Sequence, residues 1–276
     1  MLTNSPCWFD LSDLVLLQVE GLNPSAFLQG QLSCDVREVT ADTMRPGALC
    51  SLKGRITALM DVIQWQGLGL LVSKALQPLI EKDLAAVARL SRVTLTVNEG
   101  IFIVGLQCSH PENSPYPLPK EQYQTTYTDT YCCYALDPDL YIFISKTKLT
   151  IPSLQDSLAW HRLLLERNHP TIYPETSGQF LPQPLGLDNS KYFSFTKGCY
   201  KGQEIIARMH YRGVNKYSLQ QATVRSATPL VPGGVISSTQ SKQVIGEWVD
   251  VAFMGDNTYL ALASVLNTHL AEFTTR

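Results

Sequence analysis

The sequence has no uninterrupted apolar run approaching about 18 residues, so it predicts no helical membrane span. Its opening stretch, Met1–Asp10, lacks the basic segment, apolar core and small-residue cleavage site of a secretory leader. C-x-x-C pairs and clustered histidines are also missing, which argues against a zinc ribbon or finger and leaves no metal site to expect. Neither sign of charge dominates: 22 Lys and Arg stand against 24 Asp and Glu, for a formal net charge of -2. That balance excludes a nucleic-acid coat or a membrane-surface protein as a global property. No internal repeat or low-complexity tract is present. A soluble protein of the cytoplasm is the expectation.

The chain has 276 residues, 45% of them hydrophobic and 17% charged, enough for about two domains with a substantial core. Its seven cysteines, an odd number without paired spacing, point to a reducing compartment and mostly to small buried side chains. Strand patterns fall at Leu14–Val19, Ile56–Trp65, Leu68–Ser73, Val93–Val97 and Ile101–Leu106, with helical patterns at Pro24–Leu32 and Ala75–Leu90. Four prolines between Ser109 and Lys120 predict a turn-rich surface loop. Tyr131–Leu136 and Leu140–Ser145 read as a hairpin around Asp137-Pro138-Asp139. Pro152 is placed to open a helix running to about Arg167. Proline and glycine between Asn168 and Asp188 predict an extended traverse, and from Tyr217 onward short strands predict a small antiparallel barrel.

The stretch with most chemistry is KGCYKGQEIIARMHYRG, Lys197–Gly213. Gly198 and Gly202 bracket Cys199 and allow close backbone approach. Gln203–Tyr211 reads as a helix with Gly213 past its end, and Glu204 stands four residues before Arg208 for an ion pair. Cys199 then lies just ahead of a helix N-terminus, with Lys197 and Lys201 on either side, an arrangement that favours thiolate. Lys191, Lys197, Lys201, Arg208, Arg212 and Lys216 face a single acid, Glu204, so an anionic partner is expected here. A solvated basic face with turn glycines is the plainer reading of the same residues.

KGCYKGQE resembles the K-G-C-[FY]-x-G-Q-E signature of the YgfZ family of folate-binding proteins, and ARMHYRGVNK is similar to its continuation. GLNPSAFLQGQLSCDV from Gly21, SLKGRI from Ser51 and SGQFLPQPLGLD from Ser177 resemble further blocks of that family, and GEWVDVA near Gly246 resembles its C-terminal part. The resemblance implies an α+β fold of the glycine-cleavage aminomethyltransferase type. On that scheme residues 1–150 form an N-terminal folate-binding body. Residues 151–216 complete it with the helix, traverse and motif, and residues 217–276 form the barrel.

The resemblance further implies tetrahydrofolate, or a one-carbon derivative of it, as ligand. Glu166, in Leu165-Glu166, would accept from the pterin, although Arg167-Asn168 stands where the related enzyme has A-G. Trp160 and Leu14 fall at aromatic positions of the family's folate site, and Lys201, Gln203 and Arg208 are assigned to the ligand with them. Cys199, with Lys197, is the functional thiol: a nucleophile, a transient cluster ligand or a redox contact. Gly54-Arg55-Ile56-Thr57-Ala58-Leu59 offers no carboxylate where the aminomethyltransferase carries an acidic pair, which removes that reaction's charged participant. The implied role is therefore non-catalytic support of iron–sulfur enzymes or cluster-assembly proteins, with tRNA involved only indirectly through cluster-dependent modifying enzymes. A folate-dependent aminomethyl transferase and a direct tRNA-binding module are the alternatives.

Overall fold

The structure, a computed structural model, describes residues 5–274. They fold into two compact units that alternate along the chain. The first takes in the chain through Gly30, Cys34–Gly47 and Met60–Trp160; the second takes in Gln31–Ser33, Ala48–Leu59 and the chain from His161 onward.

The first unit opens with β1 (Cys7–Asp10), β2 (Leu14–Gly21) and α1 (Pro24–Gln31), and continues through β3 (Arg45–Cys50), β4 (Ile56–Gln64), β5 (Leu68–Ser73) and α2 (Gln77–Leu90). After β6 (Val93–Val97) and β7 (Phe102–Gln107) come β8 (Thr125–Tyr127), β9 (Tyr131–Asp137) and β10 (Leu140–Ser145). One sheet runs β3-β4-β5-β2-β6, with the tip of its β3–β4 hairpin counted in the second unit; the other runs β1-β7-β10-β9-β8. Alternation decides the second sheet's faces. Trp8 pairs with Leu106, Leu106 with Tyr141 and Tyr141 with Ala135, so one row of side chains crosses four strands on the same face. With Val104, Cys133 and Phe143 that row forms a core cluster.

The proline-rich segment is the turn-rich surface stretch its composition predicts, with two side chains turned inward. Tyr116 and Leu118 pack against this cluster, and the Tyr116 ring meets Trp8, Tyr131 and Phe143 at 5.7–5.9 Å. The prolines remove ladder donors, but an aromatic ring set among them still finds an apolar face.

The helix expected from Pro152 begins later, as α3 (Ser157–Glu166). Gln155 explains the delay: its backbone donates to Trp8 and accepts from Asp10, which holds the chain extended beside β1. Asp156 then caps the first turn, its Oδ1 accepting from the Ala159 amide at 2.9 Å. At the other end Asn168 takes φ +58°, the left-handed conformation that terminates a helix and that a glycine would otherwise supply.

In the second unit the traverse carries one short 3-10 turn at Gln183–Leu185, and leads to α4 (Gln203–Arg212). β11 (Tyr217–Arg225), β12 (Val235–Ser237), β13 (Val244–Gly255), β14 (Thr258–Leu266) and α5 (Leu270–Thr274) follow. These strands do not close into the expected barrel. They form an open antiparallel sheet in the order β11-β14-β13-β12. Closure needs enough staggered strands to bring the edges together, and here there are four, one of them three residues long. The apolar face is instead capped by Phe273 of α5, which packs with Ile236, Ile245, Trp248, Ala261 and Val265. No helix among the described residues is long and apolar enough to cross a membrane.

Candidate functional site

The Lys197–Gly213 motif sits in the second unit and is tied to the two short pieces of earlier chain that the unit also contains. Ser33 makes the first tie, just upstream of the motif: its hydroxyl donates to the Tyr192 carbonyl at 2.6 Å and accepts from the Ala48 amide at 2.8 Å. Lys197 makes the second, being only 5% exposed, with Nζ donating to the Leu32 carbonyl at 2.8 Å and lying 5.2 Å from the Tyr200 ring centroid. This ammonium is built into the wall and is not displayed beside the sulfur as the spacing suggested. A charge can be held there because carbonyl oxygen and aromatic face replace part of its hydration.

The start of α4 explains why two separate glycine-bearing stretches are needed. Gly202 has φ +83°, and a Cβ on it would stand 2.4 Å from the Ser51 carbonyl oxygen and 3.3 Å from the Gly54 Cα. Gly54, at φ +71°, would press its own Cβ against Ile205 and Ile206 at 3.0–3.1 Å. The turn Ser51–Gly54 and the helix start therefore meet backbone to backbone, an approach open only to residues without side chains.

Cys199 is exposed, and no other cysteine among the described residues is; Cys7 is half-buried and the remaining five are buried. Gly198 next to it has open space where a Cβ would go. Behind this surface the second unit is chemically quiet. Burial pushes the Cys50 thiol up to about 12 despite the opposing Lys201 charge. Burial, with Cys50 beside it, also raises the Tyr200 phenol, whose oxygen has no hydrogen-bond partner among the described residues.

The other candidates are placed as follows. Gln203 turns back on its own loop, its Oε1 accepting from the Tyr200 amide at 3.1 Å. Glu204 and Arg208 are exposed and form no ion pair with one another, so the expected helix pair is absent. Glu204 instead stands in the first turn of α4, where the helix dipole favours an acid. Glu166, also exposed, is the last residue of α3. Trp160 belongs to the first unit and is 4% exposed, with its ring over Gly105, where a Cβ would come within 2.7 Å, and 5.5 Å from the Phe9 ring. Leu14 is half-buried at the start of β2, opposite Ser73.

Two features of the second unit escaped the sequence reading. Asp250 is fully buried, its Oδ1 accepting from Tyr173 at 2.7 Å and lying 2.8 Å from His161 Nε2, its Oδ2 accepting from the Thr171 amide at 2.8 Å. A carboxylate inside the apolar strand Val244–Gly255 was the available signal. The second is a cavity of about 380 Å³ beside the C-terminal end of α4. Phe180, Gln183, Gly246 and Ser264 are its buried lining, while Arg55, Lys216 and Glu247 are exposed; Cys199 does not line it. Among the described residues no group of three or more His, Cys, Asp or Glu is placed to hold a metal ion.

Comparison with known proteins gives one consistent family and one fold. The chain is 32% identical over 232 residues to the tRNA-modifying protein YgfZ of Colwellia psychrerythraea, covering 76% of this chain and 69% of that one. The protein of the same name from Hamiltonella defensa is 30% identical, with 77% and 68% covered, and that from Sodalis glossinidius is 27% identical, with 81% and 73% covered. Among solved structures, the glycine cleavage system aminomethyltransferase T from Bartonella henselae superposes with a TM-score of 0.72 at 14% identity, over 96% of this chain and 79% of that one. No family model matches the chain.

Proposed function

Since this chain belongs to the YgfZ family of tRNA-modifying proteins, we propose that it acts in the cytoplasm as a tetrahydrofolate-binding protein. In this reading it supports iron–sulfur proteins, among them cluster-dependent enzymes that modify tRNA. One observation carries the proposal: Cys199 is exposed on a loop that buried Lys197, Tyr200 and the Gly54–Gly202 contact hold in place. A thiol displayed on a braced loop can reach a macromolecular partner or a ligand, whereas the buried cysteines cannot.

Residue chemistry supports folate at its two ends. Glu166 is an exposed acceptor suited to pterin N–H donors, and Arg208 with Lys201 suits the glutamate carboxylates. Lys197 contributes as a packed support, its Nζ donating to the Leu32 carbonyl. At the block where the aminomethyltransferase carries its acids, Arg55 stands instead, donating to the Gln179 carbonyl. Asp61, the nearest carboxylate in sequence, accepts from the Tyr134 hydroxyl at 2.5 Å. Both placements favour binding over aminomethyl transfer.

Titration calorimetry with tetrahydrofolate tests the ligand. Binding in the micromolar range or tighter, about -8 kcal/mol, is expected, with Glu166→Ala weaker by about 1–3 kcal/mol. Absence of binding would refute the folate assignment. Cys199→Ser should retain folate affinity and lose cellular function, so full complementation by that variant would show the thiol to be dispensable.

A further inference from the structure

The cavity beside α4 lies wholly within the second unit and uses none of the residues assigned above to folate or to the functional thiol. Alongside the rings of Phe180 and Tyr217, the side chains of Leu181, Met209, Val214 and Val244 give it an aliphatic lining. That apolar surface continues past the mouth. Val214 and Val244 are more than half exposed, and so is Val235, which stands opposite Glu247 in the β12–β13 pair and therefore on the same face. Exposed aliphatic side chains around an apolar recess are a surface that a protein partner covers. Main chain is on offer as well. Leu181 and Val214 leave both amide and carbonyl without a hydrogen bond among the described residues. Leu181 is half-buried in the extended traverse, so a second extended backbone laid beside it would pair with those groups.

The rim sets the sign of the partner's charge. Arg55, Arg212 and Lys216 are exposed and form no ion pair among the described residues. Arg212 belongs to this edge because it stands three residues after Met209, which lines the cavity, and so on the same side of α4. Glu247 is the single acid of the lining. Three cations against one acid, on a chain of formal net charge -2, favour an acidic partner. The same residues disfavour other occupants. Glu247 and the valines stand at the mouth, where a nucleic acid would need cations for successive phosphates. The buried lining holds no carboxylate to accept from a pterin.

We propose that this cavity docks an extended acidic segment of a partner protein. One apolar side chain of the segment enters the recess, its backbone runs beside Leu181, and its flanking carboxylates meet Arg55, Arg212 and Lys216. The docking surface is separate from the folate reading and stands or falls independently of it. A docked partner sits one helix length, about 15 Å, from the loop that displays Cys199. Only that last step, presentation of the partner to the thiol, rests on the function proposed above.

Selection of a displayed library of random peptides on the intact protein tests the proposal. Enriched sequences should carry acids on both sides of one aliphatic residue or methionine. A labelled copy of an enriched peptide, followed by fluorescence anisotropy, should bind with an affinity that falls with salt. Exchange of its apolar residue for serine should weaken binding at least about tenfold, and Lys216→Glu, Arg212→Glu or Val214→Asp each by about five- to tenfold. All three positions are exposed, so the variants should keep the parent's urea midpoint. Lys242→Glu changes the net charge equally but lies outside the lining, and should leave affinity unchanged. No enrichment, enriched peptides without acids, or equal losses in the Lys216 and Lys242 variants would overturn the proposal. Displacement of the peptide by single-stranded RNA, by tetrahydrofolate or by self-association at raised protein concentration would overturn it too, since that occupant would then hold the cavity. Loss of folate binding with peptide binding intact would strike the folate assignment alone.

Discussion

Gly202→Ala tests the backbone contact on which the placement of Cys199 depends. Alanine at φ +83° enters the left-handed region, at a cost of about 1–2 kcal/mol. Its Cβ would also stand 2.4 Å from the Ser51 carbonyl oxygen, with the Gly54 Cα at 3.3 Å and the Cys50 Cβ at 3.4 Å. Two of these three neighbours are backbone, so relief requires the hairpin tip to move, at a further cost of about 1–3 kcal/mol. The expected destabilisation is about 2–5 kcal/mol, read as a lower urea midpoint at unchanged slope. Trp248, in the same unit, provides a fluorescence probe. Gly198→Ala is the internal control: its φ is not in the left-handed region and nothing lies within 4 Å of the added carbon, so stability should shift by less than about 0.5 kcal/mol. Gly202→Ala within about 0.5 kcal/mol of the parent, or equal effects of the two substitutions, would refute the reasoning.

Asp250→Ala should destabilise the second unit by about 3–5 kcal/mol, because His161, Tyr173 and the Thr171 amide lose a shared buried acceptor; denaturation showing less than about 1 kcal/mol would mean the network contributes nothing net. Brief alkylation of the native protein near neutral pH, read by mass spectrometry, should modify Cys199 first, since Cys50 and Cys132 are held at about 12 by burial and remain thiols. Early labelling at Cys50 would contradict its placement. In the first unit, hydrogen bonds from Arg37, with the Arg37 amide and Gln29, hold the Asp35 carboxyl below the usual carboxylate range. A depressed folded value means its contribution is present above the unfolded value near 4 and is lost as the pH falls below it. Asp35→Asn should therefore be less stable than the parent at neutral pH, and the gap should close on acidification; a gap independent of pH would remove the assignment.

Local patterns carried much of the fold. The spacing of three and four from Ala75 to Leu90 anticipates α2, and the runs at Leu68–Ser73 and Val93–Val97 coincide with β5 and β6. The hairpin around Pro138 and the end of α4 at Gly213 were legible for the same reason. Where a distant residue intervenes, the pattern misled. The start of α3 was displaced by pairing of Gln155 with β1, a contact across more than a hundred residues of chain that no feature near Pro152 records. The candidate site divides in the same way: Cys199 was marked by its neighbours, but the inward turn of Lys197 depends on the carbonyl of Leu32.

By itself the sequence determined the order and type of most elements and the family signature, and it singled out Cys199 as a candidate. These follow from residue spacing and from backbone freedom at glycine, which act over a few residues. Only the tertiary structure decided that Gly54 and Gly202 meet, that Asp250 joins His161, Thr171 and Tyr173, that the last four strands stay open, and that an aromatic and cationic cavity forms beside α4. Each of these is a contact between segments far apart in the chain. Its free energy depends on both partners arriving together, so neither segment alone encodes it.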